Sequence, residues 1–236
     1  MQATQQPAQT TQQPAAPKPK PKPVPPPEFQ AAKIIALDEA GLIALLADPK
    51  ATAFQKAKAC QRLASIGTEK AAPALAALLA DPQLAHYARW GLEPLPGQAA
   101  DLALRNALRK LKGRLLVGAI SSIGVRRDAG AVDALARLLN STDPEVASAA
   151  AAALGSIGNA QAAKALQNAL GRTKEPVRAA VARAGLVCAE RLLAEGSRDQ
   201  ALAFYDLLTR SGTPKPVRLA AMHGIIAAEI SLSRPR

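Results

Sequence analysis

Residues 141–171, STDPEVASAAAAALGSIGNAQAAKALQNALG, set the pattern that most of the chain repeats. Asp143-Pro144 opens a helix, because an Asp N-cap followed by Pro at the first helical position suits an unpaired helix start. Val146, Ala149, Ala150, Ala153, Leu154 and Ile157 then recur at helical spacing. Gly155 and Gly158 are expected to loosen the end of this helix, and Asn159 to start a second one. That helix carries Ala163, Leu166, Ala169 and Leu170 on one face and stops at Gly171. Neither helix has an apolar face wide enough to fold alone, so the pair must stack on neighbouring copies.

The copies are visible upstream. ACQRLASIGTEKAAPALAALL places Leu63, Ile66, Leu75 and Leu79 where the first pair has Leu154, Ile157, Leu166 and Leu170. ARWGLEPLPGQAADLALRNAL fills the same slots with Leu92, Leu95, Leu104 and Leu108. Around Gly124 they hold Ile120, Ile123, Leu135 and Leu139, after a three-residue insertion expected to lie in a turn at Val125-Arg126-Arg127. With its D-P-x-V and A-L-G-x-I-G signatures, this register resembles the HEAT repeat, in particular the short HEAT-like repeat of phycobilisome lyases. The resemblance covers about residues 50–230. It implies an all-α fold, an α–α superhelix (a HEAT-like solenoid), with the second helix of each pair lining the concave side. It implies a scaffold more readily than an active site, since function lies in sites grafted onto a fold. A bilin lyase or chaperone role is the family's other implication, and nothing in the residues singles out a tetrapyrrole site.

The chain divides into two unequal parts. Residues 1–30 hold nine of the 19 prolines, seven glutamines and almost no apolar side chains. Such a segment cannot bury enough surface to offset its ordering entropy, and it is expected to be a disordered Pro-rich linker. PKPKPKPVPPP (17–27) reads as an extended polyproline-II spacer, with a ligand for an SH3-like or WW-like groove as its functional alternative. The remainder, 31–236, is expected to be the HEAT-like repeat domain, opened by a short unit in which Asp38 caps a helix through Leu42, Ile43, Leu45 and Leu46. Aromatics are only 3% of the chain, so its core must be built from Ala and Leu.

Catalytic constellations are missing from the pattern. His86 and His223 are the only histidines, several layers apart in a stack that advances ~8–10 Å per layer, so they cannot share a metal. Cys60 and Cys188 sit about four layers apart, too far for a disulfide, and read as packed apolar thiols. No Gly-rich phosphate loop, nucleophile elbow or Cys-x-x-Cys motif is present. The carboxylates read as caps or as i,i+4 partners, Asp101 with Arg105 and Asp133 with Arg137. The expectation is a protein that is not an enzyme, with no cofactor and no metal.

Binding residues are more legible. Equivalent positions on successive second helices hold Asn106, Arg137 and Asn168, a polar ladder that the resemblance places on the concave side. Arg105 and Arg109 lie beside it. Trp90 occupies an outward-facing position on the second unit, next to Arg89, and both residue types are common anchors in interfaces. These seven are the expected contacts for a protein or peptide partner. Positive residues crowd the stretch 105–127: besides Arg105 and Arg109 it contains Lys110, Lys112, Arg114, Arg126 and Arg127, and no acid follows Asp101 until Asp128. That stretch is the alternative site, for a polyanion such as nucleic acid or an acidic glycan. The net charge of +12, only +2 of it in residues 1–30, agrees with either reading.

No apolar run reaches the ~20 residues of a membrane-spanning helix. The Pro-Lys spacer looks like those of bacterial cell-envelope proteins. The start QATQQ suits a bacterial protein of the periplasm or cell envelope after signal-peptide removal, a cytoplasmic one being the alternative. The last helix, beginning at Pro216, keeps Leu219, Met222, Ile225, Ile226 and Ile230, with Leu232 beyond it. It is expected either to mediate self-association or to await a further repeat in a longer protein. The function this reading favours is a non-enzymatic protein-binding scaffold that uses the concave face.

Overall fold

Thirteen α-helices and two short 3-10 helices, Glu69–Ala71 and Ala129–Ala131, account for the regular structure of residues 31–210 and 212–230, the part of the chain that the computed structural model describes; among them no residue is in a strand. The polyproline spacer and Leu232 lie outside the described residues. Asp143 does cap the central helix, α9 (Pro144–Ile157), accepting from the amides of Glu145 and Val146. Asn159 caps α10 (Ala160–Leu170) through the amide of Ala162 at 2.8 Å. Gly158 has φ +71, the left-handed conformation that ends α9 and that only Gly adopts without strain.

Two parallel rows of helices follow from the repeat. The first-helix row consists of α1 (Ala31–Ile35), α3 (Ala53–Ile66), α5 (Ala85–Leu92), α7 (Gly113–Arg126), α9, α11 (Val177–Ala194) and α13 (Lys215–Ile230). The second-helix row consists of α2 (Glu39–Ala47), α4 (Ala72–Ala77), α6 (Ala99–Ala107), α8 (Val132–Leu138), α10 and α12 (Arg198–Thr209). Each first helix packs on the next of its row, and the second helices do likewise except at the step from α6 to α8, which is the loosest. The opening unit is thus a shortened repeat, with α1 packed on α3 and α2 on α4.

The slots read from the sequence form one continuous core. Leu63, Leu75, Leu92, Leu104, Ile120, Ile123, Leu135, Leu154 and Leu166 are all fully buried. Each such side chain contributes roughly 1.5–3 kcal/mol through burial. Small residues set the spacing between layers. Gly155 does not loosen the end of α9; it lies inside the helix, buried, where a Cβ would sit 2.7 Å from the carbonyl oxygen of Ala184 on α11. That position therefore governs how closely two layers approach.

The insertion also folds differently from its sequence reading. Val125 and Arg126 continue α7, and Arg127 caps it with φ 52. The extra length carries the Arg126 side chain back over the preceding layer. Its Nη1 donates to the carbonyls of Leu92, Glu93 and Leu95 at 2.8–3.1 Å, and its Nη2 to that of Gly97 at 2.9 Å. Its Nε is ion-paired with Asp101 at 2.5 Å. The reason is local. A helix end leaves carbonyls unpaired, and Pro94 and Pro96 supply no amide donors to the turn after α5. One guanidinium satisfies them.

Replacing Arg126 by Ala should cost about 3–5 kcal/mol of stability, the range for breaking a buried ion pair from one side. Arg127→Gly relieves a left-handed backbone and should be neutral or stabilising by up to about 1 kcal/mol. Urea denaturation of the two variants checks both values.

Candidate functional site

Glu39 on α2 accepts from the Thr68 amide at 2.6 Å and from its hydroxyl at 2.9 Å, one layer on. Glu69 accepts from the Gln98 amide at 3.1 Å, Glu93 from the Ser122 hydroxyl at 2.7 Å, and Asp133 from the Gln161 amide group at 2.8 Å. The first three pairs are each separated by 29 residues and the last by 28, one repeat in every case. Gly97, at φ +70, leaves the space that the Glu69 carboxylate occupies. These carboxylates all lie at the edge of the array where the two helices of a layer join. They are spent on the next layer and unavailable to a ligand.

The i,i+4 pairs expected from the sequence do not form. Asp101 pairs with Arg126, and Arg105 pairs with Asp128 at 3.3 Å. Asp133 takes Gln161 in place of Arg137. Burial pushes the Asp128 carboxyl above the usual carboxylate range; Arg105 opposes this and Asp101 adds to it. A raised folded-state pKa favours folding at low pH, and that contribution is lost as pH rises through the folded value. Arg105 is therefore a structural residue, half-buried and already paired.

The other candidates divide among three places. Asn106, Arg137 and Asn168 are all exposed, on α6, in the last turn of α8 and on α10, along the second-helix face. Arg109, also exposed, donates through Nη2 to the side-chain oxygen Oδ1 of Asn106 at 2.6 Å. Beside them Ala76, Leu79, Ala103 and Ala107 line a groove between α4 and α6, with Asn106 and Lys110 at its rim. This groove was not foreseen, although the alanines facing one another on the two helices could have signalled it.

Trp90 lies on the first-helix face, 48% exposed, with the His86 ring 6.4 Å away. Arg89 is not exposed beside it. The guanidinium lies over α7 and donates to the Gly118 carbonyl at 3.2 Å, where a Cβ on Gly118 would collide with it.

The basic stretch 105–127 is not one surface. Lys110, Lys112 and Arg114 are exposed at the start of α7, whereas Arg126 and Arg127 lie at its other end. Fourteen residues of helix put about 20 Å between them at 1.5 Å per residue. Of the two at the far end, Arg126 is turned inward and only 9% exposed.

Stacked two-helix layers joined into one core define an α–α solenoid. Residues 102–186 match the family model for HEAT repeats, and the layers on either side of that stretch continue the same two-helix stacking. Among solved structures it is similar to an engineered protein (22% identity, 82% of this chain and 97% of that chain, TM-score 0.45). It is also similar to a designed armadillo repeat protein (18%, 81% and 100%, TM-score 0.46). A third likeness is to the complex of CpcE and CpcF of phycocyanin lyase from Nostoc sp. (16%, 91% and 100%, TM-score 0.43). No curated protein matches the sequence. No helix among the described residues is long and apolar enough to cross a membrane.

The two thiols are buried. Desolvation pushes both Cys60 and Cys188 up to about 12, so at neutral pH they are protonated and poor nucleophiles. Neither should react with a thiol-specific disulfide reagent at pH 8 in the folded protein, and both should react promptly in denaturant. Fast labelling of the native protein at either position would contradict the packing described.

Proposed function

We propose that the protein is a non-enzymatic scaffold that binds an extended segment of a partner protein along its second-helix face. The observation that carries this reading is the row Asn106, Arg137 and Asn168, exposed at equivalent positions of three successive layers. Helices in a stack lie ~8–10 Å apart. That distance matches about three residues of extended chain at ~3.3 Å each. A partner strand crossing the row would therefore offer a backbone group to each layer in turn. The carboxamides of Asn106 and Asn168 both donate and accept, which suits peptide N–H and C=O groups. Arg109 and Arg137 supply charge-assisted donors for a partner carboxylate. The apolar groove between α4 and α6 would take a small apolar side chain next to the row.

Placement of the site on rigid helices, and the burial that keeps the thiols of Cys60 and Cys188 protonated, support binding in preference to chemistry. Among the described residues, Arg109 and Arg137 on the second-helix face have no carboxylate partner; the ion pair on that face is Asp206 with Arg210 at α12. Arg105 is left out of the contact set because Asp128 holds it.

Arg109→Glu with Arg137→Glu should weaken partner binding at least tenfold while leaving the melting temperature within about 2 °C, since exposed substitutions cost within roughly ±0.5 kcal/mol. Partners captured by a photo-crosslinking residue at Asn168 provide the assay. Unchanged capture by the double variant would refute the assignment. Arg105→Glu should by contrast destabilise the fold by placing two carboxylates together.

A second copy is the proposed partner for α13, on the strength of Leu219, Met222 and Ile226, which are 50%, 44% and 54% exposed on that helix. Exposed apolar surface of this kind favours association. Met222→Glu with Ile226→Glu should turn a concentration-dependent sedimentation profile into that of a monomer. A wild-type protein that is monomeric at all concentrations would refute it.

A further inference from the structure

Charge is sorted between the two edges of the array. At the edge where the helices of one layer join, carboxylates are bonded across layers, as described above. At the opposite edge one layer connects to the next; there Arg210 pairs with Asp206, but the cations of two other connections stand without carboxylate partners. Lys110, Lys112 and Arg114 lie in and beside the connection from α6 to α7, and Arg172 and Lys174 in the connection from α10 to α11. All five are exposed, and among the described residues no salt bridge involves any of them. Between them, the connection from α8 to α9 presents Asn140, Ser141 and Thr142. A groove of about 420 Å³ joins those three to Arg172, Thr173 and Lys174. Acids share this edge as well: Asp48, Asp81 and Asp143 accept from nearby backbone amides, and Glu145 and Glu175 are exposed with no ion pair among the described residues.

The placement reverses the ordinary preference of helix ends. Carboxylates favour the positive end of the helix dipole, and cations there are unfavourable. Helix α9 obeys the rule, with Asp143 as cap and Glu145 in its first turn. Neither α7 nor α11 has a side-chain cap or an acid in its first turn. Lys112 and Arg114 surround the free amides of α7, and Lys174 lies beside those of α11. Helix dipole and side-chain charge therefore add in two layers separated by one. An anion at this edge would relieve both.

We propose that this edge binds the phosphodiester backbone of double-stranded nucleic acid, without reading bases. It is a surface distinct from the row Asn106, Arg137 and Asn168 proposed to hold a protein partner, and adjoins it at Lys110, on the rim of the groove between α4 and α6. Three features favour a duplex. The cations form a row one connection wide, which suits a charged rod better than a plane of lipid. Its two clusters lie ~16–20 Å apart, two stack spacings, so one rigid helix can meet both; along that length a duplex presents roughly ten charges. Finally, the exposed side chains of the row are mainly cations, hydroxyls and a carboxamide, and the large apolar residues in its groove, Leu139 and Val177, are buried or half-buried. The Ser141 and Thr142 hydroxyls and the Asn140 carboxamide are phosphate donors of the kind that position a duplex without reading it.

The test is fluorescence anisotropy of the full chain with a 30-base-pair duplex of arbitrary sequence, between 50 and 200 mM salt. Five phosphate contacts predict a slope of log affinity on log salt of roughly −4 to −5, at ~0.9 counterions per contact. Lys112→Glu with Lys174→Glu should weaken binding at least tenfold and flatten the slope by about 2. Lys18, Lys20 and Lys22 are present in both proteins, so the difference isolates the edge. Arg109→Glu with Arg137→Glu should bind the duplex within about threefold of wild type, which separates this surface from the scaffold site. Three results would overturn the proposal: no binding at 50 mM salt, an unaffected Lys112/Lys174 double variant, or tighter binding to phosphatidylserine vesicles than to the duplex.

Discussion

A side chain in one layer bonded to the backbone or hydroxyl of the next, one repeat further along the chain, is the interaction on which this structure depends. Burial of Leu and Ala holds the layers together but is non-directional and would tolerate sliding. The bonds from Glu39 to Thr68, Glu69 to Gln98 and Glu93 to Ser122 fix the register. The first two also satisfy turn amides, those of Thr68 and Gln98, so the same contact serves the local turn and the long-range stack; the third takes up the buried Ser122 hydroxyl inside α7. Its consequence reaches beyond stability. Carboxylates committed to one edge leave the opposite edge and the second-helix face dominated by cations and amides, and those are the surfaces open to partners.

The loosest step in the second-helix row is bridged by charge. Between α6 and α8 the layers are joined by Arg105 with Asp128 and by Arg126 with Asp101. Arg126 has four carbonyl acceptors besides its carboxylate, so almost all of its donors are used. Buried ion pairs are seldom net stabilisers by Coulomb energy alone, because desolvation opposes it. Here the guanidinium also replaces the amides that Pro94 and Pro96 lack, and the arrangement depends on that role. The three-residue insertion is thus the counterpart of the prolines one layer earlier.

Much of this was legible in the sequence because it is local. Asp38, Asp143 and Asn159 cap helices as their neighbours imply, and the leucine slots fill the core. The outward position of Trp90 followed from register alone. What was misread crosses layers. Asp101 and Arg105 share a helix face but each prefers a partner from another element. Gly155 looked like a helix breaker because the backbone of α11 behind it is invisible in a linear reading. The run of cations from 105 to 127 looked continuous, and helix α7 separates its two ends. The carboxylate ladder was in principle readable, since Glu39 and Thr68 differ by one repeat; a search for polar pairs at the repeat period, as well as apolar ones, would have found it.

The central claim is that interlayer bonding sorts charge to opposite edges of the array. Solvent paramagnetic relaxation of the backbone amides, recorded with cationic and anionic nitroxide probes, measures the local potential residue by residue. The account predicts a strongly positive potential at the amides of residues 110–114 and 171–175, and a near-neutral one at 67–70 and 97–99. Equal potentials at the two edges would contradict it.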